Sequence, residues 1–142
     1  MKIAVPEQKK LVHETTIPVR WGDMDALGHV NNTLYFRYLE IARVEWLQRV
    51  GGPPNASGEG PIIVNTFCNF LRQLKYPGAV RVHLYTGEMG RSSLDTWATM
   101  ERVDEPGQLC ATGGATVVWA DLLRQRSAPL PEWLRARIHN AG

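Results

Sequence analysis

Apolar residues recur along this chain with two different periods, and the switches between them divide it into elements. From His13 to Trp21 they alternate, with Ile17, Val19 and Trp21 on one side and Thr16, Pro18 and Arg20 on the other. A period of two predicts a strand, and Pro18, which has no N–H to donate, marks it as an edge strand or a bulge. From about Asn32 to Val50 the period is that of a helix. At about 100° per residue, Tyr35, Tyr38, Leu39, Ala42, Trp46 and Val50 share one broad face that should pack on a sheet. Arg37, Glu40, Arg43 and Gln48 turn toward the other side, with Phe36, Val44 and Leu47 mixed among them. That outer face is more apolar than a lone chain needs and suits a covering loop or a partner subunit. Gly51-Gly52-Pro53-Pro54 ends the helix, because Gly can take the left-handed stop and Pro forbids continuation.

Residues 51–61, rich in Gly, Pro and Ser, read as a loop. Four strands should follow, within Ile62–Leu74, at Val80–Met89, at Ser93–Val103 and at Leu109–Ala120. Gly90-Arg91 breaks the second from the third, and Asp104-Glu105-Pro106-Gly107 is a turn before the fourth. Gly113-Gly114 inside the last strand calls for a bulge or a close backbone approach. Pro129-Leu130-Pro131 introduces a short final helix over Glu132–Ile138. The order is β-α-β-β-β-β, an α+β domain with one long helix and, given the short turns, a mostly antiparallel sheet of five strands. Residues 1–142 are expected to form this single domain, with 1–10 as a loose lead-in and 129–142 as a tail.

Composition narrows the function classes. At 142 residues, 44% hydrophobic and 21% charged, the chain can bury a core without staples. A net charge of +2 with scattered Lys and Arg argues against nucleic acid as a partner. No segment is apolar for long enough to span a membrane, and Met1–Pro6 lacks the apolar core of a signal peptide, so a cytoplasmic protein is expected. Cys68 and Cys110 form no C-x-x-C pair and suit core positions in a reducing compartment. His13, His83 and His139 are too dispersed to suggest a metal site.

The chemistry concentrates in Trp21–Tyr35, directly before the long helix. A helix N-terminus presents unpaired N–H groups and a partial positive charge. Asp23 and Asp25, two apart, point the same way on an extended backbone. Their mutual repulsion would raise one pKa, while the helix end would favour the ionised forms. An ionised Asp facing a bound carbonyl can attack it or activate a water, while the backbone N–H of Asn32 polarises the carbonyl oxygen. The same residues also have a plainer reading. Asp25-Ala26-Leu27-Gly28 is a type I turn signature, Asn31 or Asn32 is a natural N-cap, and His29 positions a substrate or only caps the turn.

The whole constellation adds a further indication. Asp-x-Asp-x-x-Gly-His-Val-Asn-Asn-x-x-Tyr, residues 23–35, resembles the signature of the hotdog-fold acyl-CoA thioesterases, in their 4-hydroxybenzoyl-CoA thioesterase-like group. The resemblance continues through Tyr38, Glu40, Ala42 and Arg43, through Tyr76-Pro77, Gly90-Arg91-Ser92-Ser93 and Pro129-Leu130-Pro131, and so covers about residues 12–138. It implies a hotdog fold, a sheet wrapped around one long central helix, in the same element order. It also implies that Asp25 is the catalytic carboxylate, as nucleophile or general base, that the Asn32 N–H binds the carbonyl oxygen, and that His29 supports them. Arg91, Ser92, Ser93 and Tyr35 become the candidates for binding substrate and coenzyme A near a subunit interface. Some members carry several basic residues at the Gly90–Ser93 turn. This chain has Arg91 there, so Arg72, Lys75 and Arg81 enter as further candidates.

The implied activity is hydrolysis of an acyl thioester of coenzyme A or an acyl-carrier protein by a homodimer or homotetramer. No cofactor or metal is expected, coenzyme A being part of the substrate. Two alternatives are a hydratase or dehydratase on the same fold and a non-catalytic acyl-CoA-binding protein. The first lacks its Asn-Pro or Pro-rich motif around His29, and Asp25 argues against the second. Glu40 is expected to pair with Arg37, Arg43 or a second subunit, and Glu45 is given no role.

Overall fold

The computed structural model describes residues 3–51 and 58–140. Its elements are β1 (Lys10–Pro18), α1 (Asn32–Val50), β2 (Glu59–Phe70), β3 (Ala79–Met89), β4 (Ser93–Arg102), β5 (Leu109–Asp121), β6 (Arg126–Ser127) and α2 (Glu132–Asn140). All strand pairs are antiparallel, in the order β1-β3-β4-β5-β2, with the two-residue β6 added on β5. The five long strands and the long helix are those the sequence pattern predicts, and β6 is an addition too short to leave a periodic signal. Among the described residues no helix is long and apolar enough to cross a membrane.

Several boundaries differ from the sequence reading. The first strand runs over Lys10–Pro18 instead of His13–Trp21, so it takes in the last residue of the expected lead-in. Pro18 is the last residue in the ladder, opposite Ala79 on an edge strand, and the Leu11/His13 pair carries the bulge. Beyond it, the Asp23 carboxylate accepts the Arg20 N–H at 3.0 Å and draws Trp21–Asp23 into a 3-10 turn, leaving Trp21 74% exposed. β2 begins at Glu59, inside the expected loop, and residues 52–57 of that loop lie outside the described part. It ends at Phe70, where the Leu71 and Arg72 N–H groups both turn to the Cys110 carbonyl, at 2.9 and 3.1 Å.

The helix starts and stops near its predicted ends. Asn31 is the N-cap, its side-chain oxygen accepting the Thr33 N–H at 2.9 Å. Gly51 ends the helix at φ −137°, not in the expected left-handed conformation, with its N–H on the Leu47 carbonyl. All six residues of the predicted face are buried. Burying each large one contributes about 1.5–3 kcal/mol. Arg43 is a correction. It is 7% exposed instead of facing outward, its Nε has no hydrogen-bond partner among the described residues, and burial lowers its pKa. It lies beside the buried Ala42 on the edge of a face wider than the apolar count suggested. Glu40 pairs with Arg37 at 3.1 Å, one of its expected partners.

Gly113 decides how close α1 comes to the sheet. Pairing is regular on both sides of Gly113 and Gly114, so these glycines make a close approach and not a bulge. A Cβ on Gly113 would stand 2.8 Å from Leu39 Cδ1 of α1 and 2.7 Å from the Phe67 carbonyl. Gly113→Ala should therefore cost about 1–3 kcal/mol, read as a lower midpoint in chemical denaturation; an unchanged midpoint would mean the helix is not seated on this strand as described.

The topology also creates the site. β1 and β2 are opposite edges, so the β1–α1–β2 path must cross the sheet, and the chain must return from β2 to β3. Pro18, Phe70, Ala79, Arg102 and Leu109 all lie at one end of the sheet by register. Two connections, residues 19–31 and 71–78, therefore meet at that end, on either side of the α1 N-terminus.

Candidate active site

The segment 22–31 is locked by its own hydrogen bonds. Gly28 donates to the Asp25 carbonyl at 3.0 Å and takes φ +82°, a conformation that favours glycine. This is the turn the Asp-x-x-Gly spacing predicts. The Asp25 N–H donates to the His29 carbonyl at 2.9 Å, and Met24 pairs with Val30 as an isolated bridge. The Val30 N–H then reaches the Leu74 carbonyl at 2.8 Å, joining this connection to the one opposite.

The two carboxylates have different surroundings. Asp23 is 9% exposed, and its Oδ2 accepts the Tyr38 hydroxyl at 2.7 Å as well as the Arg20 N–H. Its backbone carbonyl accepts the Asn31 N–H at 2.9 Å. Asp25 lies in the open part of the loop, where its Oδ1 accepts the Leu27 N–H at 2.9 Å. Its Oδ2 has no hydrogen-bond partner among the described residues. The expected side-by-side carboxylate pair is thus divided between a structural bond and a free oxygen, because the 3-10 turn at Trp21–Asp23 replaces the extended backbone that would have aligned them.

Asp25 faces a cleft of about 410 Å³ whose lining includes His29, Asn32 and Tyr35. The far wall comes from Phe70, Leu71, Arg72 and Gln73, at the end of β2 and beyond it. Asn32 is the first residue of α1. Thr33 N–H is taken by the Asn31 side chain and Leu34 N–H by the Asn31 carbonyl at 2.9 Å. The Asn32 N–H has no acceptor among the described residues, which leaves a donor at the positive end of a 19-residue helix beside the cleft. The cleft thus combines a carboxylate oxygen, an open N–H donor and apolar walls, the elements of acyl transfer.

Other candidates sit differently. Tyr35 is 3% exposed, and its hydroxyl donates to the Arg72 carbonyl at 3.0 Å and accepts the Leu74 N–H at 3.1 Å. It borders the cleft but uses its polar atom to hold the far wall. Burial, chiefly, pushes its pKa up to about 12, so the hydroxyl stays protonated in neutral solution. Arg91, Ser92 and Ser93 lie at the opposite end of the sheet, past the far end of β3. An 11-residue strand is roughly 35 Å long at ~3.3 Å per residue, so one chain does not bring them to Asp25. The turn is braced there by Arg135 of α2, whose Nη2 donates to the Gly90 carbonyl at 2.6 Å and the Arg91 carbonyl at 3.0 Å. Arg81, the third residue of β3, pairs with Glu14 at 3.2 Å and does not line the cleft. Of the further basic candidates, Arg72 lines the cleft and Lys75 lies in a neighbouring depression with His29. Phe70, Leu71 and Gln73 fall within the segment Ile62–Leu74, from which the sequence leads one to expect pocket residues, and the crossing of the chain from β2 to β3 makes these particular ones the wall.

The sequence profile of the thioesterase-like superfamily matches residues 19–138, and the chain belongs to that superfamily. Its architecture is the hotdog fold, shared with solved structures along nearly its full length. A Pseudomonas aeruginosa protein provisionally described as a thioesterase is 41% identical, with a TM-score of 0.85 over 91% of this chain and 99% of its own. A provisional acyl-CoA thioesterase of Xanthomonas campestris is 33% identical, with a TM-score of 0.75 over 85% of this chain and 100% of its own. A Thermus thermophilus thioesterase, solved with coenzyme A and zinc, is 32% identical, with a TM-score of 0.76 over 89% of this chain and 91% of its own. Among the described residues of this chain, no group of three or more His, Cys, Asp or Glu is placed to hold a metal ion.

The thiols are poor nucleophiles in the folded chain. Burial pushes Cys68 up to about 12 and Cys110 up to about 11. A thiol-reactive disulfide reagent at about pH 8 should label neither until denaturant is added, because only the thiolate reacts; prompt labelling of the native protein would contradict the packing around them.

Proposed function

We propose that this protein hydrolyses acyl thioesters of coenzyme A, with Asp25 as the reacting carboxylate and the Asn32 N–H as the donor to the thioester oxygen. The observation that carries this reading is their common cleft, in which the Asp25 Oδ2 and the Asn32 N–H both stand without a protein partner among the described residues. In the reaction, Asp25 either attacks the carbonyl carbon or takes a proton from a water that attacks it. Negative charge moves onto the carbonyl oxygen, where a fixed N–H stabilises it, commonly by about 3–4 kcal/mol. The C–S bond breaks, coenzyme A leaves as the thiol, and water supplies the second oxygen of the free acid. His29 lines the same cleft and supports substrate placement.

Asp25→Asn keeps a side-chain oxygen for the Leu27 N–H and so preserves the turn. It should nevertheless lower kcat/KM in a thiol-release assay by at least about 100-fold. If Asp25→Ala hydrolyses a good substrate at the wild-type rate, the mechanism is wrong. A wild-type chain that binds acyl-CoA but releases no thiol from any acyl-CoA or acyl-carrier-protein thioester would favour the binding-protein reading.

We further propose that the functional unit is at least a homodimer, and that Arg91, Ser92 and Ser93 serve the cleft of a partner copy. β2 is a free edge strand with Ile62, Ile63 and Val64 exposed, and Gly60–Leu71 contains no charged residue to discourage pairing. Antiparallel pairing of two β2 edges about a two-fold axis would lay the Arg91 end of one sheet beside the Asp25 end of the other. Light scattering should give at least twice the 16.0 kDa chain mass, and Val64→Lys should lower mass and activity together. A fully active monomer would exclude this arrangement.

A further inference from the structure

Tyr35 and Tyr38 stand three residues apart on the buried face of α1, 3% and 2% exposed, and their hydroxyls go in different directions. Tyr38 donates to Asp23 Oδ2, and Asp23 in turn holds the Arg20 N–H through its carboxylate and the Asn31 N–H through its carbonyl. Asn31 is the N-cap of α1, and Asp25 is two residues beyond Asp23. A single hydroxyl therefore ties the body of the helix to both groups placed at the reaction, the Asp25 turn and the Asn32 N–H. The Tyr35 hydroxyl bonds to the opposite wall. It holds the Arg72 carbonyl and the Leu74 N–H, the Tyr35 ring packs edge-on against Phe70 at 5.0 Å between centroids, and the Leu74 carbonyl accepts the Val30 N–H.

We infer that these two tyrosines are positioning residues with separate kinetic roles, Tyr38 setting the reacting geometry through Asp23 and Tyr35 setting the width of the acyl-binding cleft through the Phe70–Leu74 wall. The inference rests on the assignment of Asp25 and Asn32 to the chemistry. The physical reason for the division is rigidity. Each hydroxyl sits at the end of a ring that has no internal torsion and is packed in the core, so the helix holds the two walls at a fixed separation. A loosened Asp25 turn misplaces groups that matter most in the transition state, where a displacement of about 1 Å costs on the order of 100-fold. A loosened Phe70–Leu74 wall weakens contacts with the acyl group that are equally present before and during reaction, which changes KM and leaves kcat. Burial raises the pKa of both hydroxyls, so both remain donors at neutral pH.

The test compares Tyr38→Phe with Tyr35→Phe in the full chain, each losing one buried hydroxyl. Tyr38→Phe should lower kcat by about tenfold or more with KM changed less than about threefold, whereas Tyr35→Phe should raise KM by about fivefold or more, unequally across a panel of acyl groups, with kcat nearly kept. Amide hydrogen exchange on the same proteins reads the mechanical half without any turnover. Exchange should quicken at Asn31 and Asp25 in Tyr38→Phe and at Leu74 in Tyr35→Phe. The same kinetic change in both variants, or a uniform rise in exchange through the chain, would reduce the hydroxyls to general stabilisers and overturn the inference. A wild-type chain inert toward every acyl-CoA would sink the catalytic assignment and the kinetic roles with it, while the exchange pattern decides separately whether the two walls are held independently.

Discussion

Leu39 lies directly over Gly113, and the position of α1 follows from that contact. A side chain at residue 113 would collide with the helix and with the Phe67 carbonyl of the neighbouring strand, so only a glycine lets the helix down onto the middle of the sheet. With Leu39 seated, the helical period brings Tyr35, Tyr38, Ala42 and Trp46 onto the same surface and buries them. The helix N-terminus is thereby set at the end of the sheet where the chain has just left β1 and will later leave β2. The cleft is a consequence of that crossing. Two connections must pass on either side of a fixed helix end, and the space between them is lined by whatever residues they carry.

The electrostatics of the cleft depend on keeping two nearby carboxylates apart in role. Asp23 is spent on Tyr38 and Arg20 in a nearly closed environment, where a charged oxygen with two donors is well satisfied. The Asp25 carboxylate is held by one backbone N–H and otherwise faces the cleft. The helix end adds a fixed positive potential there without a mobile cation. In this arrangement most of the loop's polar groups are tied into structural bonds, and the Asp25 Oδ2 and the Asn32 N–H are among the groups left without a partner among the described residues.

Much of this was readable in the chain. The helix from Asn32 to Val50 appears with its predicted bounds because its cap, its apolar face and its Gly-Pro stop agree with one another. The Asp25–Gly28 turn and the Asn31 cap follow from short-range rules that need no tertiary information. The end of β1 did not follow in that way. Trp21 continues the alternation of Ile17 and Val19, but the bond between Asp23 and the Arg20 N–H curls the chain out of the ladder, and a period of two cannot register a side chain competing for a backbone donor. Arg43 was misassigned for a related reason. Its formal charge suggested solvent, while its stem lies against the core beside Ala42 and its guanidinium is covered.

The sequence by itself determined the alternation of elements, the turn and cap ahead of the helix, and the motif that places a carboxylate before a helix N-terminus, because each of these depends on residues within one or two turns of each other. Only the tertiary structure decided which of the two aspartates stays open, which residues oppose it, and that Arg91 lies a full strand length away from Asp25. Those outcomes depend on strand order and on hydroxyls reaching across 15 to 39 residues of chain, as from Tyr38 to Asp23 and from Tyr35 to Leu74. Local spacing carries no record of contacts at that separation, which arise only when the helix settles on the sheet.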